Sequence, residues 1–290
     1  PRLGNRLPAI PPSAIMEVGR KVRELRALGR DIIHLGAGIP TPSPKLLDRP
    51  ISLSRDMNQL GDAAGLPALR AAVAERLRAD QGIEYDPASE IVITHGAKQA
   101  LHAALLAILD PDDEVAILDP AWVTYGPSIA LAGGAARPFS LNRAKGYALD
   151  ADALAAVVGP ATRAVVMNTP HNPTGRVFTR AELEAVAEIA RANDLWVISD
   201  ESFDKFVFDG NRHVSIATLA GMRKRTVVLK SFSKAYGFIG GRVGYLAAPP
   251  ALATLVRRYN ENVLSCVSPM TQSIALAILD EDPAWTTALR

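Results

Sequence analysis

The chain is nearly without cysteine: its 290 residues contain one, Cys266. A lone thiol excludes an internal disulfide framework and suits a reducing compartment, so the expected location is the cytoplasm. Long apolar runs are missing too, since none approaches the ~20 residues that span a bilayer. No signal-peptide pattern opens the chain. Neither sign of charge dominates, with 32 Lys and Arg against 30 Asp and Glu. These charges are interspersed and read as solvated helix faces, leaving no basic field for nucleic acid. No internal repeat or low-complexity linker breaks the chain. No G-x-G-x-x-G follows a first strand with an acidic residue at the right distance, which argues against a dinucleotide-dependent dehydrogenase. What these absences leave is a protein whose partners are small molecules, with neither membrane nor nucleic acid among them.

What is present is apolar and ordered. Hydrophobic residues make up 48% of a chain long enough for one large domain or two smaller ones. From Glu90 onward, "EIVITHG", "EVAILDP", "RAVVMNTP", "LWVISDE", "TVVLKSFS" and "VGYLAAP" read as buried strands. Alanine- and leucine-rich stretches such as "AKQALHAALLAILD" separate several of them as helices. In "TRAELEAVAEIARAND", Thr179 and Glu182 have capping-box spacing. Strands of this kind alternating with helices predict an α/β fold with a mostly parallel sheet covered on both faces. Nearer the start, "PPSAIMEVGRKVRELRALGR" predicts an amphipathic helix, and "DIIHLGAGIPTPSP" a short strand running into a loop. The chain opens at Pro1 without methionine and closes inside a helical pattern at Arg290. Both features lead us to expect a piece of a longer chain.

Polar anomalies gather at the carboxyl ends of the predicted strands, where sheets of this type bind ligands. "THGAKQAL" places Gly96, Ala97 and Lys98 at a strand-to-helix turn, where backbone N–H groups can approach an anion. "NTPHNPTGRVF" ends one strand with Asn168, His171 and Asn172, and "SDESF" ends the next with Asp200 and Glu201. A carboxylate closing a buried strand is costly without a cationic or N–H partner. "LKSFSKAYGFIGGR" then supplies Ser231, Ser233, Lys234 and Arg242. Taken singly, each has an ordinary structural explanation; four of them on successive strand ends do not. Together they suit a phosphorylated aromatic aldehyde: Lys234 for a Schiff base, Arg242 and Ser231 for phosphate, Asp200 for a ring N–H⁺.

With "AGLPALR", "PAWVTY", "NTPHNPTG", "SDESF" and "SFSKAYGFIGGRVGY" in this order and spacing, the chain resembles the class I/II aminotransferases of the aspartate-aminotransferase fold family. The likeness runs from "IPPSAI" to the final helix. It implies a seven-stranded-type sheet sandwiched by helices, the large domain of pyridoxal-phosphate transferases, with an incomplete small domain. Residues 1–45 would form an amino-terminal arm and part of the small domain, and residues 46–290 the cofactor-binding large domain. The carboxyl-terminal small domain, with the arginine that binds the substrate carboxylate, would be absent, and Arg290 does not match that arginine.

Position by position, the resemblance makes Lys234 the lysine that holds pyridoxal 5'-phosphate and shuttles protons. Asp200 pairs with the ring nitrogen, Asn172 meets the ring's phenolic oxygen, and Trp122 stacks on the ring. Ser231, Ser233 and Arg242 face the phosphate together with the backbone of Gly96, Ala97 and Lys98, the Lys98 side chain facing solvent. Gly38, in "LGAGIP", lies near the substrate carboxylate. No metal is involved. The implied reaction moves an amino group between an amino acid and a 2-oxo acid, in a homodimer. Phe203 and Leu60 depart from the family's pattern, which has a tyrosine at each place. The Phe203 exchange predicts a raised pKa for the Lys234 Schiff base. Both departures keep open another reaction on the same cofactor, such as a β-lyase, decarboxylase, synthase or oxidase. A non-catalytic regulator domain is disfavoured by the absence of a helix-turn-helix and the presence of Lys234, Asp200 and Asn172.

Overall fold

A computed structural model describes residues 3–4, 7–36, 38, 40 and 55–280. The continuous apolar runs become strands where they are expected: β1 (Ile91–Thr94), β2 (Glu114–Asp119), β4 (Thr162–Asn168), β5 (Trp196–Asp200), β6 (Thr226–Ser231) and β7 (Gly244–Ala247). One further strand, β3 (Ala135–Ser140), carries no such signal. Its segment "AARPFS" contains Arg137 and Pro138 and buries Phe139 while leaving most neighbours exposed. Among the described residues it pairs with β2 alone, and a sheet edge tolerates the proline that a central strand would not.

The sheet order is β1-β7-β6-β5-β4-β2-β3, seven strands as the family resemblance implies. β7 runs antiparallel to both neighbours, and every other pair is parallel. The carboxyl ends of β1, β2, β4, β5 and β6 therefore share one edge. β7 starts at that edge, with Gly244 opposite both Thr94 and Ser231.

Alternation along the strands feeds both faces. Val166, Ile198 and Leu229 enter one apolar cluster with helices α3 (Gly96–Ile108), α4 (Tyr125–Leu131) and α8 (Pro250–Val263). On the other face, Val165, Met167 and Val197 meet α5 (Ala151–Val157) and α6 (Arg180–Ala192). The β1–β7–β6 end of the sheet is covered by α2 (Pro67–Gln81) and α9 (Pro269–Leu279). α6 starts with the capping box expected of Thr179 and Glu182, each side chain satisfying the other's backbone N–H. The short α7 (Phe232–Ala235) follows β6 directly.

The amino-terminal region is different. α1 (Ala14–Ala27) forms as its periodicity predicts but buries only Val22 among its own residues. The strand expected in "DIIHLG" does not form: residues 31–36 join no ladder, and Ile33 and Leu35 stand 83% and 90% exposed. An apolar segment becomes a strand only beside a partner, and none stands beside this one among the described residues. The expected boundary between residues 45 and 46, and Arg290, lie outside the described residues.

Candidate active site

β5 ends at Asp200 and Glu201 follows directly, the two carboxylates pointing to opposite faces. Asp200 follows Ile198 onto the α3–α4 face and is 5% exposed. Its Oδ2 accepts from the Tyr125 hydroxyl at 2.9 Å and its Oδ1 from the Ser202 N–H at 3.1 Å. Asn168, at the end of β4, donates to the Asp200 carbonyl (2.9 Å) and accepts from the Asn172 N–H (2.7 Å). This pair of bonds sets the "HNPTG" turn against the end of β5. His171 belongs to the turn: its Nδ1 meets the Thr174 hydroxyl at 2.8 Å, and burial lowers its pKa to about 4. It is neutral near pH 7 and serves the loop.

At the other side of the cluster, α3 opens directly after β1. Its N-cap His95 makes no side-chain cap bond, so the first-turn N–H groups have no partner within the helix. Gly96 turns the chain at φ 74°, and a Cβ there would lie 2.9 Å from Arg242 Nη2. Gly244 meets the same turn, for its Cβ would stand 2.8 Å from the Ala97 nitrogen. A side chain at either position would push the guanidinium, the strand and the helix start apart. Arg242 donates through Nη1 to Ser233 Oγ at 3.2 Å and to the Ile239 carbonyl at 3.1 Å. Ser231 caps α7 by accepting from the Ser233 N–H at 3.1 Å, leaving its hydroxyl proton free to donate.

Lys234 follows Ser233 in α7, close enough to Arg242 to feel its charge. Its Nζ donates to the Gly38 carbonyl at 3.0 Å and lies 5.6 Å from the centre of the Phe203 ring. Burial first, and the Arg242 charge second, lower its pKa. Trp122 is half-buried and meets Tyr125 edge-on at 5.4 Å, while the exposed Lys98 places its ammonium 5.4 Å from the Trp122 ring. As expected, the Lys98 side chain faces solvent. Gly38, Gly96, Ala97, Trp122, Asn172, Asp200, Ser231, Ser233, Lys234 and Arg242 thus all fall at one sheet edge. Leu60 is 81% exposed.

The electrostatics of this edge are incomplete in a particular way. Among the described residues Asp200 has no cationic side-chain partner, and burial, together with Glu201, raises its pKa against the Ser202 and Tyr125 hydrogen bonds. Arg242 and Lys234 in turn have no carboxylate partner among the described residues, and they sit beside unfilled helix N–H groups. A ligand carrying a cation at one end, a phosphate at the other and an aldehyde between would complete all three. Pyridoxal phosphate has that make-up, so the side chains present are compatible with it.

Sequence reading missed two participants. Tyr125 lies 75 residues from Asp200, and nothing in "PAWVTY" marks that pairing. The second is the environment of Glu201, on the opposite face and 0% exposed. Glu201 accepts from Ser199 (3.0 Å), Gln81 (2.8 Å), His213 (3.0 Å) and Ser215 (2.5 Å), with Lys230 Nζ at 3.8 Å. Lys230 also pairs with Asp204 at 2.6 Å. Burial alone would raise the Glu201 pKa, but His213, Lys230 and the hydroxyl donors bring it down to about 2. Its neighbour Lys230 offered a signal, as a charged residue inside "TVVLKS" requires a buried counter-charge.

The family model for aminotransferase class I and II matches residues 30–290. A probable N-succinyldiaminopimelate aminotransferase of Mycobacterium tuberculosis is 39% identical over 275 residues, 92% of this chain and 69% of that protein. An aspartate aminotransferase of Geobacillus stearothermophilus is 34% identical over 281 residues, 95% of this chain and 71% of its own. Among solved structures, the Thermus thermophilus aspartate aminotransferase with maleate superposes at a TM-score of 0.94 with 30% identity, covering 100% of this chain and 76% of its own. Fold, motifs and relatives agree that the chain belongs to the class I and II aminotransferases, enzymes that transfer amino groups with pyridoxal phosphate.

Proposed function

We propose that the strand-end cluster carries this transfer, between an amino acid and a 2-oxo acid, with Lys234 as the catalytic base. The observation that carries this reading is the separation of unpaired charge. Among the described residues the buried Asp200 lacks a cationic partner, and Arg242 and Lys234 lack an anionic one. Pyridoxal phosphate, when bound, supplies an aldehyde carbon and an electron-withdrawing ring. Asp200 would hold the proton on the ring nitrogen, and Asn172 would donate to the ring's phenolic oxygen. Arg242, Ser231 and Ser233 would bind phosphate with the Gly96–Lys98 backbone, and Trp122 would cover the ring. Lys234 Nζ, its pKa lowered by burial and by Arg242, has more of the neutral amine, the form that would hold the cofactor's aldehyde carbon and that, once displaced from it by the amino donor, would take the donor's α-proton. Gly38, whose carbonyl receives Lys234 Nζ, would border the donor carboxylate.

The same reading places residues 1–45 in an arm and part of a small domain, and residues 46–290 in the large domain. The sparse burial of α1 supports the division. The enzyme would act as a homodimer in the cytoplasm.

The test is single-turnover transfer with pyridoxal phosphate added, followed by visible absorption. Exchange of the cofactor band on adding an amino acid, reversed by a 2-oxo acid, is expected. Lys234→Ala should reduce transfer by about 10²–10⁴-fold and leave the fold intact. Undiminished turnover, or an unchanged lysine-dependent absorption band, in that variant would overturn the reading.

A further inference from the structure

Two side chains reach the Asp200 carbonyl and carboxylate from other elements, Asn168 from β4 and Tyr125 from α4. They do different things. Asn168 binds the backbone carbonyl and fixes the strand end, while Tyr125 binds the carboxylate itself. We propose that Tyr125 is a positioning residue for amino-group transfer: its phenol orients Asp200 and keeps it ionised to receive the cationic ring nitrogen. The inference rests on the assignment of Asp200 above, and it deepens that assignment.

The geometry supports it from both ends. Tyr125 is 2% exposed, its ring packs in the cluster shared by Ile129, Val166 and Ile198, and its edge-on contact with Trp122 fixes the ring plane. A buried phenol needs a hydrogen-bond partner, and the one it has is Asp200 Oδ2. The hydroxyl donates, because burial and the Asp200 charge push its own pKa well above the ordinary value. Around Asp200, β6 contributes Leu229 across the ladder and β4 contributes neutral Asn168. Its charged neighbour, directly after β5, is Glu201, which opposes ionisation. With no cationic partner among the described residues, the charge of Asp200 is favoured by the Tyr125 phenol and by Ser202, through its backbone N–H and its side chain. Ser202 acts on Asp200 from two positions along the chain, whereas Tyr125 reaches Oδ2 from another element, so the part of the Asp200 charge that the tertiary fold controls passes through Tyr125.

The decisive variant is Tyr125→Phe, which keeps the ring and its contacts and removes one hydroxyl. Three readouts are needed: the carbon-13 carboxyl titration of Asp200 in cofactor-free protein, pyridoxal phosphate affinity by visible absorption, and the pH profile of transfer. A hydrogen bond to a charged group is worth about 10- to 100-fold in an equilibrium constant. The expected results are a higher Asp200 midpoint, affinity weakened by about that factor, and an acid limb of the profile moved to higher pH. An unchanged titration and profile in folded Tyr125→Phe protein would overturn the proposal. Should that variant not fold, 3-fluorotyrosine at position 125 is a stronger donor of the same size and must move the Asp200 midpoint down. No movement there would overturn the proposal equally. If the unsubstituted protein took up no pyridoxal phosphate, the functional assignment would fail instead, while the cofactor-free titration would still report the Tyr125–Asp200 coupling.

Discussion

Asp200 and Glu201 are adjacent, both buried, and opposite in almost every physical respect. Glu201 is surrounded by hydroxyl, amide, imidazole and ammonium donors, and its pKa falls to about 2. Asp200 has only the neutral donors of Tyr125 and Ser202 and no cation among the described residues, and its pKa rises. The strand's alternation separates them, sending one into a finished ion network beneath β6 and the other to the open edge with Lys234 and Arg242. A buried carboxylate whose charge is fully answered by the protein holds the structure together. One whose charge is left unanswered is waiting for something from outside.

The contrast breaks if the two residues behave alike when neutralised. Glu201→Gln removes the partner of Lys230 and His213 and leaves a buried cation with one counter-charge. It should destabilise the protein by about 3–5 kcal/mol in denaturant unfolding, and a loss under 1 kcal/mol would remove Glu201 from its structural role. Asp200→Asn should cost transfer about 10²–10³-fold. It should leave cofactor-free stability unchanged or higher, because the charged side chain is itself an expense to the fold. Equal losses of stability in the two variants would erase the distinction.

Acid sharpens it further. The Glu201 pKa is lowered on folding, so its stabilisation is present above 4.5 and disappears as pH falls from 4.5 to about 2. A gap of that size corresponds to about 3 kcal/mol. Asp200, with a raised pKa, acts in the other direction, because protonation relieves its burial. Unfolding free energies measured through this window should fall less steeply for Glu201→Gln than for the unsubstituted protein; parallel curves would contradict the assignment. The smallest effect is expected of Phe203→Tyr, a surface-neutral change of roughly 0.5 kcal/mol or less in stability. It restores the hydroxyl that the family pattern carries there and should lower the pH midpoint of the bound cofactor's visible absorption. An unmoved midpoint would make Phe203 a packing exchange.

Much of this was legible in the sequence because the signals were local. Continuous β-branched runs located six strands, and the Thr179–Glu182 spacing located a helix start. Lys234, Arg242, Asn172 and Asp200 declared themselves by standing where apolar runs end. β3 was not legible, since an edge strand with Arg137 and Pro138 has no apolar run to read. The segment at residues 31–36 failed in reverse: its apolar residues promised a strand, but a ladder depends on a neighbour that local pattern does not contain. Tyr125 was hidden for the same reason as the Glu201 network. Both depend on residues that the fold brings in from elsewhere: Tyr125 lies 75 positions from Asp200, and Gln81 lies 120 from Glu201. Periodicity reports which face a residue occupies, and topology decides who meets it there.

The most direct test of the difference between the two carboxylates is a carbon-13 carboxyl titration of Asp200, resolved by comparison with Asp200→Asn, with and without pyridoxal phosphate. Without the cofactor, Asp200 should titrate above the ordinary range for aspartate. With it, the resonance should remain that of an ionised carboxylate throughout the pH range in which the protein stays folded. The same titration curve in both states would mean that nothing cationic arrives at Asp200, and would contradict the account.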